Sequence, residues 1–375
     1  MSLSKQKSSG FFSKAFNLPY LNQTRLKWVD YVKGIAIVLV VYRHVLIGIE
    51  RSGINIPSYM VTANMIFYSF RMPLFFILSG LFINASLQKK TFKELFSIKL
   101  ETLIYPYFIW VFLQVTTQII FTDFTNSSRG LIDYTYIFYL PRELDQFWYL
   151  PALFNVTLVY AFIKSKLNPP VFFQIVFGLA LYFTSPYLRD ISIISDWMEF
   201  YVFFAVGDAV SHFLLNTSNQ QKLKSPLLLV LSFPVFIFIQ LYYLSKPESY
   251  FTSIATGRTE YIFIALAGCF MMIVFSLFIE NFKQIRFLRI IGLHSLYIYV
   301  MHVFVFSFIR IILMKFLHIA NPFVLLLSGI TISIPVCIMI YNLLIKENIL
   351  WFLFSFRKKQ SITTNQKAYE QQSTR

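Results

Sequence analysis

The chain has almost no cysteine, two in 375 residues; only 13% of its residues are charged, and acids are outnumbered by bases, 17 to 33. Cys269 and Cys337 both fall inside apolar runs, which excludes a disulfide framework or a cysteine metal site and leaves them as packing residues. The GxSxG elbow, the GxxxxGK[ST] phosphate loop, GxGxxG and HExxH are all missing. The five histidines (His44, His212, His294, His302 and His318) show no metal-ligand spacing, so no metal is expected and nucleotide hydrolysis is excluded. The +16 net charge has no nucleic-acid-binding module beside it.

What the sequence has is apolar surface: 57% hydrophobic residues, 44 of them phenylalanine, and a mean hydropathy of +0.62. A water-soluble domain has no place to hide that surface, so the chain reads as a polytopic membrane protein. Apolar stretches of about twenty residues, bounded by charges or by Pro/Asn/Ser clusters, predict ten spans. They run 33–49, 60–87, 100–121, 147–163, 171–186, 197–215, 226–244, 260–279, 288–313 and 322–345. Of the flanking Lys and Arg residues, eighteen lie on one side and seven on the other, which makes the richer side cytoplasmic and puts both termini there. The expected class is an all-α transmembrane bundle with a basic tail over 1–27, a membrane domain over 28–345 and a polar tail over 346–375. The first span is expected to act as its own insertion signal, the residues after Phe356 to be disordered, and the loop over 122–146 to cover the outer mouth.

Within the spans, ionisable residues are the candidates for chemistry, because such groups are costly in hydrocarbon and face a cavity by default. In WVDYVKGIAIVLVVYRHVLIGI, Lys33 and His44 are separated by ten residues, which predicts His44 about 16 Å deeper, near the bilayer centre. A neutral imidazole is a general base for a hydroxyl; the alternative is a histidine hydrogen-bonded between helices. Arg71 is predicted at similar depth in the second span, either as a donor to a developing oxyanion or as a structural pair. Lys33 reads as a phosphate contact or an interfacial lysine, and His302, slightly past the centre of the ninth span, as a candidate substrate contact. Trp148 and Tyr149 are set to stack on sugar rings or to belong to the interfacial aromatic belt.

These residues together resemble the integral-membrane acyltransferase-3 family, whose members O-acylate surface glycans, lipids and some small molecules. The motifs are DYVK (30–33) with the Lys33–His44 pair, FRMPLFFILSG (70–80), WYL (148–150) and IGLHSLYIYVMH (291–302). The resemblance implies an acyl-CoA donor from the cytosol, with acetyl-CoA foremost, and no permanently bound cofactor. The acceptor is a hydroxyl of a cell-surface polysaccharide or a lipid-linked saccharide, and the enzyme sits in the inner (plasma) membrane, in contact with membrane lipid. Lys33 and His44 then form the basic-residue/His pair, and Ser79 lies in the FFxxSG segment. Where many bacterial relatives carry R-x-x-R at the start of the third span, this chain reads KLET (99–102), so Lys99 alone supplies that charge. No soluble domain follows the tenth span, so the acceptor is bound by the membrane domain alone or with polysaccharide-assembly machinery. The rival readings are a transporter or flippase of a glycan intermediate, and succinyl transfer, which needs an additional cation near the acyl pocket.

Overall fold

The computed structural model describes residues 11–17, 26–125, 129–346 and 348–357. Ten helical segments are long and apolar enough to cross a membrane. They are α1 (Lys27–Glu50), α2 (Ser58–Lys89), α3 (Phe92–Ile120), α4 (Pro141–Leu167), α5 (Val171–Leu188), α6 (Ser192–Leu215), α7 (Pro226–Leu244), α8 (Ala255–Ile279), α9 (Ser295–Phe316) and α10 (Pro322–Ile345). All ten expected spans are present, and the chain is a multi-pass membrane protein. Ten crossings put Lys27 and Ile345 on the same face, called here the terminal face. The tail expected to be disordered lies outside the described residues from Lys358 on, as do Lys5, Lys7 and Arg25 of the basic N-terminal tail. Residues 351–357 are described: Tyr105 and Trp110 of α3 donate hydrogen bonds to the carbonyls of Phe352 and Leu353.

α2 is central. It packs against α1, α6 and α8, and 67% of its most apolar window is buried, against 22% for α5 and 17% for α7, which leaves those two on the lipid side. Reciprocal glycines set the closest helix crossings. A Cβ on Gly80 of α2 would lie 2.1 Å from the Phe204 carbonyl oxygen of α6, and one on Gly207 of α6 would lie 2.2 Å from the Ile77 oxygen of α2. Backbone contact at that range admits no side chain. The last residue of the FFxxSG segment is therefore a packing residue.

Several expected boundaries shift: the first, third, fourth, sixth and eighth spans begin five to eight residues early, and the ninth begins late. The ninth span begins at Ser295, because Arg286–Leu293 forms a separate short helix against α1. There a Cβ on Gly292 would meet the Asp30 carbonyl oxygen at 1.8 Å and one on Gly34 would meet the Leu288 oxygen at 2.2 Å, a second reciprocal crossing. The fourth span begins earlier than expected, with a 3₁₀ segment over Pro141–Trp148 that turns sharply at Asp145 (φ 58°, ψ −114°). Cys269 and Cys337 are buried and unbridged.

Candidate active site

The helices bring His44 and Arg71, expected from sequence as the reacting pair, to the wall of one cavity of about 550 Å³. Its rim comes from Arg142, Arg189 and Glu248, at the ends of α4, α5 and the α7–α8 connection, so it opens toward the face opposite the termini. The predicted depth of His44 needs correction. α1 starts at Lys27 rather than Lys33, so His44 lies six residues before its far end, about 9 Å, and 17 residues from its start. His44 and Arg71 belong to the half of the bundle opposite the termini.

The His44 ring is anchored to its own helix, with Nδ1 2.9 Å from the Val40 carbonyl oxygen. A carbonyl only accepts, so Nδ1 carries the proton and Nε2 keeps its lone pair. His302 is edge-on to this ring, centroids 5.0 Å apart, and is fully buried. Its Nδ1 lies 2.9 and 2.8 Å from the carbonyl oxygens of Ile298 and Tyr299, while its Nε2 has no partner among the described residues. His302 lines neither cavity at His44; it backs the His44 ring.

Arg71 is buried and donates through one terminal nitrogen to the Leu39 carbonyl at 3.2 Å and to Asn64 Oδ1 at 3.4 Å. Both acceptors are neutral. Pro73, two residues on, leaves the α2 backbone one donor short beside this site. Trp148 lines the same cavity, under the Arg142 guanidinium at 4.4 Å, whereas Tyr149 is buried in the core against Phe75, Phe76 and Tyr299. Ser79 donates to the Phe75 carbonyl one turn back at 2.9 Å and sits beside the Tyr149 hydroxyl.

A second cavity of about 540 Å³ meets the first at Arg43, His44, Arg142 and Trp148. It runs between α1, α3 and α9 and is more apolar, with Phe304, Phe306 and Phe316 in its wall and Arg310 bonded to the Gly48 carbonyl at 3.0 Å. The loop over 122–146, which the sequence suggests as a cover for the mouth, supplies wall residues to both, Arg142 and Gln146 to the first and Phe124, Thr125, Arg142 and Asp145 to the second. Arg142 bonds Asp196 and lies 3.7 Å from Glu199; Asp145 pairs with Arg51 at 2.8 Å and accepts from Gln114 at 3.3 Å. Sequence reasoning passed over Arg43, Tyr68, Asp196 and Glu199. Arg43 was signalled by its position beside His44; Asp196 and Glu199 sit in the first turns of α6, where charge reads as topology, and Tyr68, ten residues into α2, reads as one more aromatic packing residue.

At the terminal face lies Lys99, within electrostatic reach of Lys33 and of Lys90. A third cavity, about 640 Å³, is lined there by Lys89, Lys90 and Lys164. Asp30 pairs with Arg289 at 3.6 Å, tying α1 to the short helix before α9.

No solved structure matches this chain. Over 138 residues it is 30% identical to the nodulation protein NolL of Sinorhizobium fredii, an overlap of 35% of this chain and 36% of that protein. The chain thus covers little more than a third of that relative's length. A family model described as an acyltransferase domain matches residues 26–342, from the start of α1 to near the end of α10. That match takes in both cavities, the His44–Arg71 wall and the terminal-face lysines, and it makes the chain a membrane acyltransferase of the acyltransferase-3 family.

Proposed function

We propose that the protein transfers an acyl group, acetyl foremost, from cytosolic acyl-CoA to a hydroxyl of a surface polysaccharide or lipid-linked glycan, in the plasma membrane. The observation that carries this reading is a histidine with a committed Nδ1 and an open Nε2, placed across a cavity from a buried arginine that has only neutral partners. Such a pair suits acyl transfer. Nε2 of His44 removes the proton as the acceptor oxygen attacks the thioester carbonyl, and Arg71 holds the oxyanion that forms. Collapse of the tetrahedral intermediate breaks the C–S bond, and the imidazolium returns its proton to the departing thiolate. His302, behind His44, fixes the ring's position.

Lys33, Lys99 and Lys90 suit the donor's phosphates, since ammonium groups at the terminal face meet a nucleotide arriving from the cytosol. The first cavity, with Trp148 and other aromatics beside carboxylates, suits a saccharide on the opposite side. Reporter fusions test this polarity. One placed after Lys359 is expected in the cytoplasm and one near Asn126 outside; finding both on one side would remove the two-sided arrangement.

The chemistry is tested by thiol release from acetyl-CoA with detergent-purified protein. His44→Ala is expected to lower turnover about 10²- to 10⁴-fold, the range for a general base, at an unchanged yield of monodisperse protein. Wild-type turnover in that variant would take His44 out of the mechanism.

A further inference from the structure

Arg43 is a charge that the transfer chemistry above does not use. It is half-buried on α1, adjacent in sequence to His44, and lines both cavities. Its guanidinium carbon stands 4.9 Å from the centroid of the Tyr68 ring, and that of Arg71 stands 5.7 Å from the same centroid. Among the described residues neither arginine has a carboxylate within 4.0 Å. Arg142, which shares the junction, is neutralised by Asp196 and Glu199. Across the two cavities, six arginines face four carboxylates.

A guanidinium remains protonated at any physiological pH, and its forked donors match a carboxylate or phosphate. An aromatic face stabilises such a cation without neutralising it. Transfer of a neutral acyl group to a neutral hydroxyl develops one negative charge, which Arg71 meets. Arg43, a further cation without a carboxylate partner directly beside the reacting pair, calls for a negative charge that the substrate carries throughout.

We propose that Arg43, stacked on Tyr68, binds a permanently anionic group of the substrate, a carboxylate or phosphate, beside His44, and so selects an anionic substrate. This rests on the acyl-transfer reading of His44 and Arg71. Two carriers present the same chemistry: a dicarboxylic acyl group such as succinyl on the donor, or an acidic sugar or sugar phosphate as the acceptor.

The full-length protein purified in detergent distinguishes them. In one arm, thiol release is compared for succinyl-CoA and butyryl-CoA, which share a four-carbon acyl chain and differ in the terminal carboxylate. In the other, thermal stabilisation by glucuronate and by inorganic phosphate is measured against glucose and chloride at equal ionic strength, a readout that requires no turnover. If the donor carries the charge, Arg43→Gln lowers the succinyl-to-butyryl ratio of kcat/KM at least tenfold. If the acceptor carries it, the same variant raises the glucuronate or phosphate concentration for half-maximal stabilisation at least tenfold. Arg43→Lys, which keeps the charge and loses the fork, gives a smaller change of the same sign and decides the matter if the Gln variant does not fold. Unchanged ratios and unchanged half-maximal concentrations overturn the proposal. Absence of thiol release from every thioester by the wild type overturns the acyl-transfer reading instead, while the stabilisation arm still reports on the anion site.

Discussion

The two halves of the bundle differ in how they treat buried cations: acids are paired in both, Asp196 with Arg142 in the cavity half included, but only the cavity half holds buried or half-buried arginines with no carboxylate partner among the described residues. Toward the terminal face, buried acids have cationic partners: Asp30 with Arg289 at 3.6 Å, Asp208 with Lys164 at 3.6 Å, and the less buried Lys224–Glu280 pair closes at 3.0 Å. Toward the opposite face, among the described residues, Arg71 and Arg310 bond neutral oxygens and Arg43 has only an aromatic face. An ion pair in a membrane bundle satisfies both charges and fixes one helix against another; a cation with neutral partners keeps its field available for a ligand. The same helix, α1, serves both ends, holding Asp30 in a structural pair and His44 and Arg43 at a cavity.

The contrast predicts that substitutions at the cavity half's unpaired arginines cost turnover and those at the terminal half's paired acids cost folded protein. The largest effect short of removing His44 is expected at Arg71. Arg71→Lys keeps the charge but loses the rigid guanidinium, one nitrogen of which bonds Leu39 and Asn64 and which, on the proposed mechanism, holds the oxyanion. Loss of one positioned transition-state donor costs about 10²- to 10³-fold in rate. Acetyl-CoA turnover per folded molecule, with folded protein counted by size-exclusion recovery, is expected to fall by that amount at a nearly normal yield. Normal turnover with poor recovery would move Arg71 into the structural half of the comparison.

Much of this was legible in the sequence, for physical reasons. Span number and type follow from length and hydropathy, and a lone ionisable residue such as His44 or Arg71 stands out against an apolar run. The depth of His44 was misjudged because Lys33 was taken as the helix mouth, whereas α1 begins six residues earlier. A membrane helix need not stop at its first charge if that charge reaches the interface. The meaning of Gly80 and Gly292 was hidden too, since each is explained by a glycine on another helix, Gly207 and Gly34, that no local pattern identifies. The partners of Arg142 come from α6, 54 and 57 positions along the chain, and periodicity carries no information at that range.

In the terminal half, Asp208 is the site at which to break the contrast. Its Oδ2 accepts from the Tyr160 hydroxyl at 2.6 Å and its Oδ1 from Asn84 at 2.5 Å, joining α2, α4 and α6. Asp208→Asn keeps the shape but puts amide hydrogens against donors, which leaves a buried group unpaired at a cost of about 1–3 kcal/mol. Thermal unfolding in detergent is expected several degrees lower, with turnover at saturating donor within about twofold of wild type. A hundredfold loss of turnover at full stability would show that Asp208 belongs to the reaction rather than to the packing.

The smallest effect is expected at Asp145, where the two halves of the argument meet in one residue. Its backbone is left-handed at φ 58° and ψ −114°, a region costing an L-residue about 1–3 kcal/mol, and it is held there by Arg51, Gln114 and, at 3.7 Å, Arg129. The Arg51 side chain is half exposed, so that ion pair contributes little, about 0–1 kcal/mol. Asp145→Ala keeps the strain and loses the anchors, so its unfolding midpoint should drop by a few degrees. Asp145→Gly loses the same anchors but relieves the strain, and the two terms nearly cancel, leaving the midpoint close to wild type. The same Gly frees the Arg142–Trp148 segment at the cavity junction, so the acceptor KM should rise a few-fold with kcat little changed. If Ala and Gly destabilise the protein equally, the turn stores no strain and the carboxylate anchors alone hold the mouth in place.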